Sequence, residues 1–176
     1  MSRDAPSKQL ATFIAKFDPE IARLVRATRR VLRTRFHTGM ELVYDNYNAL
    51  AIGWGPTERA SDVIVSLAVY ASGVNLYFMQ GARLADPDGV LQGAGRQGRF
   101  VRLVTPADVS TPEIERLLAA AAGLARAPMP ATGRLRTISK AVSPRQRPRR
   151  SGVQAKAAAG TSRSKRASPR GTASRA

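Results

Sequence analysis

The 176-residue chain has no cysteine and a single histidine, His37. The first absence excludes disulfides and thiolate chemistry, and the second excludes a multi-histidine metal site within one chain. A cysteine-free chain fits a reducing cytoplasm. Aromatic residues are scarce, with one Trp, four Tyr and five Phe, all between Phe13 and Phe100. Acidic residues are missing from one long stretch: residues 127–176 hold 13 of the 29 Lys and Arg and none of the 12 Asp and Glu. The remaining 1–126 carry 16 basic and 12 acidic residues, so most of the net charge of +17 belongs to the C-terminal fifty.

Long hydrophobic runs are also lacking. The opening residues lead into a charged amphipathic stretch, not into the apolar core of a secretory signal. The uncharged stretch 63–82 has about the 20 residues of a membrane span. Its pattern argues for strands instead: Val63, Val65, Leu67 and Val69 alternate with their neighbours, Ser72 and Gly73 interrupt, and Val74, Leu76 and Phe78 alternate again. This predicts a buried β-hairpin.

What is present organises into one domain, residues 7–126, of ordinary single-domain size. Ser7 is the expected N-cap of a first helix with Leu10, Phe13, Ile14 and Phe17 on one face. Asp18, Pro19 and Glu20 open a second helix, whose apolar stripe runs through Ile21, Leu24, Val25, Thr28, Leu32 and Phe36 and whose opposite side carries Arg23, Arg26, Arg29, Arg30 and Arg33. Thr38 and Gly39 stop it. The runs 42–45 and 49–54 suit a hairpin around Asn46, Tyr47 and Asn48, a loop that tolerates left-handed backbone at asparagine. Phe100 to Val104 resumes an extended pattern, and Thr111, Pro112 and Glu113 open a last helix. Consecutive strands joined by short turns predict an α+β fold, with a largely antiparallel sheet of about five strands, two N-terminal helices and one C-terminal helix packed on one face. Residues 127–176, built from Arg, Lys, Ala, Pro and Ser, are expected to be a disordered basic tail.

Three stretches together, Asn75 to Phe78, Leu91 to Arg96 and Arg99 to Leu103, resemble the YdhG-like family, domain of unknown function 1801. The likeness spans about Leu10 to Ala125. It implies an antiparallel α/β fold, and some relatives are described as frataxin-like iron chaperones. The chain departs from the family pattern after Gly39 and Met40, where Glu41 stands in place of a frequent proline. The basic tail lies outside the family domain.

Candidate chemistry is sparse. Gly93, Gly95 and Gly98 match the dinucleotide-binding glycine spacing, but a turn-rich stretch precedes them and a strand-like run follows, whereas the motif needs a strand before and a helix after. With Arg96, Arg99 and Arg102 the same loop is a candidate anion nest. Iron binding would need clustered carboxylates, for which Asp86 and Asp88 are candidates, with Asp18, Glu20, Glu41, Asp45, Glu58 and Asp62 elsewhere. Asp86 to Gly89 reads more simply as a β-turn. Tyr44, Trp54, Tyr70 and Tyr77 are candidates for a small-ligand pocket on the sheet. His37, at a helix end, is read as a capping or packing residue. Nucleophile-elbow, P-loop and zinc-hydrolase motifs are absent, so no catalytic residue, cofactor or metal is expected.

The tail carries the sharper signal. Arg145, Arg147, Arg149, Arg150, Arg163, Lys165, Arg166 and Arg170, interleaved with Pro and Ser, resemble a linker-histone tail, and an extended cationic chain binds DNA or RNA phosphates through counterion release with little base reading. The expectation is a non-catalytic binding domain in the cytoplasm, associated with the nucleoid through its tail. The competing expectation is an iron chaperone or small-ligand binder whose tail is incidental.

Overall fold

The period-3.6 stripes become helices. The structure, a computed structural model, describes residues 5–150. Helix α1, Ala5–Ala15, buries Leu10, Phe13 and Ile14, and Phe17 follows it into the core. It starts before Ser7, which is therefore an exposed first-turn residue and not the N-cap. Helix α2, Pro19–Arg35, buries Ala22, Val25, Thr28 and Leu32. Proline at its first position and Glu20 in the first turn set its start, and the Asp18 side chain makes no cap bond to it. Gly39, at φ +76°, turns the chain out of this helix, and a Cβ there would lie 2.6 Å from the Gly55 carbonyl oxygen.

Strands β1 (Met40–Asp45), β2 (Leu50–Gly55), β3 (Val65–Tyr70), β4 (Gly73–Phe78) and β5 (Arg99–Leu103) are joined by antiparallel pairings in chain order. The β1–β2 loop closes with the Asn46 N–H on the Ala49 carbonyl at 2.9 Å. No described residue other than glycine has positive φ, so the expected left-handed asparagine does not occur there. The stretch considered as a membrane span is the β3–β4 hairpin, and among the described residues no helix is long and apolar enough to cross a membrane. Helix α3, Pro112–Gly123, buries Ile114, Leu117, Leu118 and Ala121.

The sheet has six strands, in the order β5-β4-β3-β2-β1-β6. Strand β6, Arg136–Val142, pairs parallel with β1 and lies inside the segment expected to be tail. The fold thus does not end at residue 126. Leu135 donates its N–H to the His37 carbonyl at 2.8 Å and Arg136 donates to Gly39 at 3.0 Å, so the chain is guided onto the β1 edge before pairing begins. Met129 and Leu135 pack against the core. Composition concealed this because the strand needs few apolar side chains of its own: the backbone ladder of β1 holds it, together with side-chain anchors described below.

Strand parity sorts the two faces of the sheet. Val43, Leu50, Ile52, Trp54, Val65, Leu67, Val69, Val74, Leu76, Phe78 and Leu103 face the helices in one core with Phe13, Phe17, Leu32 and Leu118. The other face presents Tyr44, Ala51, Ser66, Ala68, Asn75 and Tyr77, all half-buried.

Candidate polyanion-binding site

Two carboxylates of β1 share parity with Val43 and so point into the helix-side layer. Both are fully buried. A buried charge is tolerated only when it is paired and hydrogen-bonded. Glu41 is clamped by a bidentate Arg29, with Nε to Oε1 and Nη2 to Oε2 both at 2.7 Å, by Arg33 Nη1 at 2.7 Å and by the Thr137 hydroxyl at 2.6 Å. Asp45 accepts from Lys16 Nζ at 2.6 Å and from Arg149 Nη2 at 3.0 Å. Thr137 and Arg149 both belong to residues 127–150, so each carboxylate ties that segment to the helices.

Arg149 is 5 % exposed and its guanidinium lies 5.4 Å from the Phe17 ring centroid. It was expected to meet nucleic acid and is instead an interior anchor, because Asp45 needs a second cation. Arg145 and Arg150 are exposed, and exposed Arg147 lies over the Tyr47 ring at 5.7 Å. Arg163, Lys165, Arg166 and Arg170 lie outside the described residues.

The pairing of Arg29 and Arg33 with Glu41 organises a shallow cleft on α2, lined by Arg26, Arg29, Arg30, Arg33 and Thr34. Arg26 and Arg30 are exposed and their side chains have no hydrogen bond or ion pair among the described residues, and Arg23 continues the row one turn earlier. Arg35 is not part of it, since it pairs with Glu115 of α3.

The glycine loop has a different polarity from the one expected. Arg99 Nη1 donates to the carbonyls of Gly98, at 2.8 Å, and Gly95, while Arg102 donates to the Ser72 carbonyl in the β3–β4 turn. The loop thus offers oxygens to a guanidinium at the positions where an anion nest would offer N–H groups. Arg96 is exposed, Gly93 has φ +102° and Gly98 lies against the Tyr77 ring. This arrangement braces a connection between β4 and β5.

The four aromatic residues proposed as a pocket do not meet. Trp54 is fully buried among the helix-facing residues, whereas Tyr44, Tyr70 and Tyr77 have the opposite parity. Tyr44 and Tyr77 are three strands apart, about 14 Å at the usual strand spacing. Leu50, Ile52 and Trp54 alternate with Ala51 and Gly53 in the sequence, and that alternation already placed Trp54 in the core. Burial holds the Tyr44 hydroxyl above its usual pKa.

The carboxylates are dispersed. Asp86 accepts the N–H groups of Val90 at 3.0 Å and Leu91 at 2.8 Å, within the β-turn closed by Gly89 N–H on the Asp86 carbonyl. Asp88 pairs with Arg116, whose pKa is raised by that hydrogen bond and by the Asp88 charge. Asp62 accepts from Thr57 at 2.6 Å, which holds it below the usual carboxylate range. Among the described residues no group of three or more His, Asp or Glu converges as a metal site. The His37 side chain is exposed, and its carbonyl receives Leu135.

No protein-family model, no curated protein and no solved structure matches this chain.

Proposed function

We propose that this chain is a non-catalytic, YdhG-like binding protein that contacts nucleic acid through phosphate charge, in the cytoplasm and on the nucleoid. The observation that carries the reading is the charge distribution: 13 Lys and Arg and no Asp or Glu within residues 127–176. Arg145 and Arg150 are exposed within it, and six further cations follow Arg150 in the sequence. Polycations of this kind release condensed counterions from a duplex, so affinity falls steeply with salt and reads little sequence. The exposed arginine row of α2 adds positive charge on the folded part. The dispersal of the carboxylates into turns and ion pairs disfavours the iron-chaperone alternative.

The test is fluorescence anisotropy with a labelled DNA duplex across a salt series. The full chain is compared with a full-length variant carrying Gln at Arg145, Arg163, Lys165, Arg166 and Arg170. Arg149 is left intact because it is an interior residue. The slope of log affinity on log salt should shrink by about 1 for each phosphate contact removed. An identical slope for the two proteins would refute the assignment to this segment.

A further inference from the structure

Helix α2 carries a concentration of like charge that its own fold only partly neutralises. Arg26 and Arg30, and likewise Arg29 and Arg33, are four residues apart, while Arg26 and Arg29, and Arg30 and Arg33, are three apart. All four pairings bring side chains together on the helix surface, and like charges at these spacings destabilise a helix. Glu41 relieves Arg29 and Arg33, and nothing among the described residues relieves Arg26 and Arg30. The cleft therefore keeps an excess of about three positive charges.

Glu41 also fixes geometry. Arg29 uses Nε and Nη2 on the carboxylate and Arg33 uses Nη1, so Arg29 Nη1 and Arg33 Nη2 have no acceptor among the described residues. The buried carboxylate holds these two forks in place before any ligand arrives, at 22 % and 34 % side-chain exposure, while Arg26 and Arg30 remain adjustable at the rim. Fixed planar forks beside flexible ones match the tetrahedral oxygens of a phosphoryl group, which guanidinium binds by paired charge-assisted hydrogen bonds.

We infer that the α2 cleft formed by Arg26, Arg29, Arg30 and Arg33 is a phosphate-binding site, with Glu41 as its positioning residue. This deepens the nucleic-acid reading by placing a specific contact on the folded domain, apart from the C-terminal segment. The phosphoryl group belongs either to a polynucleotide backbone or to a small phosphorylated molecule.

The experiment uses the full-length chain and the double variant Arg26→Ala/Arg30→Ala. Both side chains are exposed and the change removes like-charge repulsion along the helix, so its thermal midpoint should be no lower than that of the parent. Two readouts are taken: anisotropy with duplex DNA in a salt series, and amide shifts of residues 26–34 on titration with inorganic pyrophosphate. Weakening of DNA binding by about tenfold, with a salt slope smaller by about 2, supports the site with nucleic acid as the source. Unchanged DNA binding, with pyrophosphate shifts present in the parent and lost in the variant, supports it with a small phosphorylated ligand as the source. If the variant matches the parent in both readouts, the site is overturned. In that last case, DNA binding lost in the variant with Gln in the C-terminal segment leaves the nucleic-acid reading standing, and no DNA binding by any protein removes both.

Discussion

Replacing Arg149 with Ala should destabilise the whole domain although the residue is the 149th of a chain whose last fifty carry no acidic group. Arg149 Nη2 lies 3.0 Å from Asp45 Oδ1 and also donates to the Asn46 carbonyl, and the guanidinium covers Phe17. Removing one partner of a buried pair leaves the other charged and desolvated, at about 3–5 kcal/mol. Lys16 remains 2.6 Å from the other Asp45 oxygen, which places the loss near the lower end, at about 3 kcal/mol. For a unit of this size that lowers the thermal midpoint by roughly 9 °C. The control is Arg150→Ala, an exposed neighbour with only a 3.4 Å contact to the Ala15 carbonyl, expected to change stability by less than about 0.5 kcal/mol. Urea denaturation of both full-length variants measures the difference. Equal midpoints for the two variants and the parent would show that residues 143–150 do not anchor the fold and that Asp45 is satisfied by Lys16 alone.

Gly39→Ala should cost clearly more than Gly89→Ala. Both glycines have positive φ, worth about 1–2 kcal/mol for an L residue, but only Gly39 also brings a Cβ against a backbone oxygen while Gly89 has open space. Equal losses in chemical denaturation would remove the steric part of the argument. Asp108 supplies a pH test. Burial opposes its ionisation, but the Thr105 hydroxyl at 2.6 Å and the N–H groups of Val104 at 2.7 Å and Thr105 at 2.9 Å outweigh it and hold its pKa below the usual carboxylate value. A carboxylate with a lowered folded pKa contributes stability that is present above its unfolded value of about 3.9 and is lost as pH falls through the folded one. Asp108→Asn should therefore be less stable than the parent at pH 7, with the gap narrowing as pH falls below about 4, and a gap of constant size would contradict the assignment.

Most of the fold was legible because hydrophobic periodicity is a local signal. The i, i+3, i+4 stripe of α1 and α2 and the alternation within Val65–Tyr70 and Gly73–Phe78 are complete within a few turns or strands, and the structure places those elements within about two residues of expectation. Strand β6 was missed because its stability is not in its own sequence. Thr137 and Ile138 are good strand formers, but the residues that hold the segment, Glu41 and Asp45, lie about a hundred positions earlier. The acidic residues themselves were visible as isolated carboxylates. Their burial follows from spacing, since Glu41, Val43 and Asp45 alternate along one strand, and a buried parity containing two acids requires cations from elsewhere. In the structure these cations come from Lys16, just after α1, and from Arg29 and Arg33 of α2, which also line the cleft. The aromatic pocket failed on the same ground, because residue type was weighed without strand parity.

The parallel pairing of β6 with β1 has a kinetic consequence. Every other ladder joins strands that follow one another in the chain, so the five-stranded meander closes through mostly short loops, whereas β6 returns to β1 across about 95 residues. Contacts of such high sequence separation form late and slow folding. During synthesis, β1 is complete long before β6 is made, and until then its outer edge is an open row of N–H and C=O groups beside two carboxylates not yet fully paired. Unprotected strand edges recruit other strands. The cationic segment that follows α3 thus acts as the chain's own edge cover, and a nascent chain stalled before residue 136 is the species most exposed to aggregation.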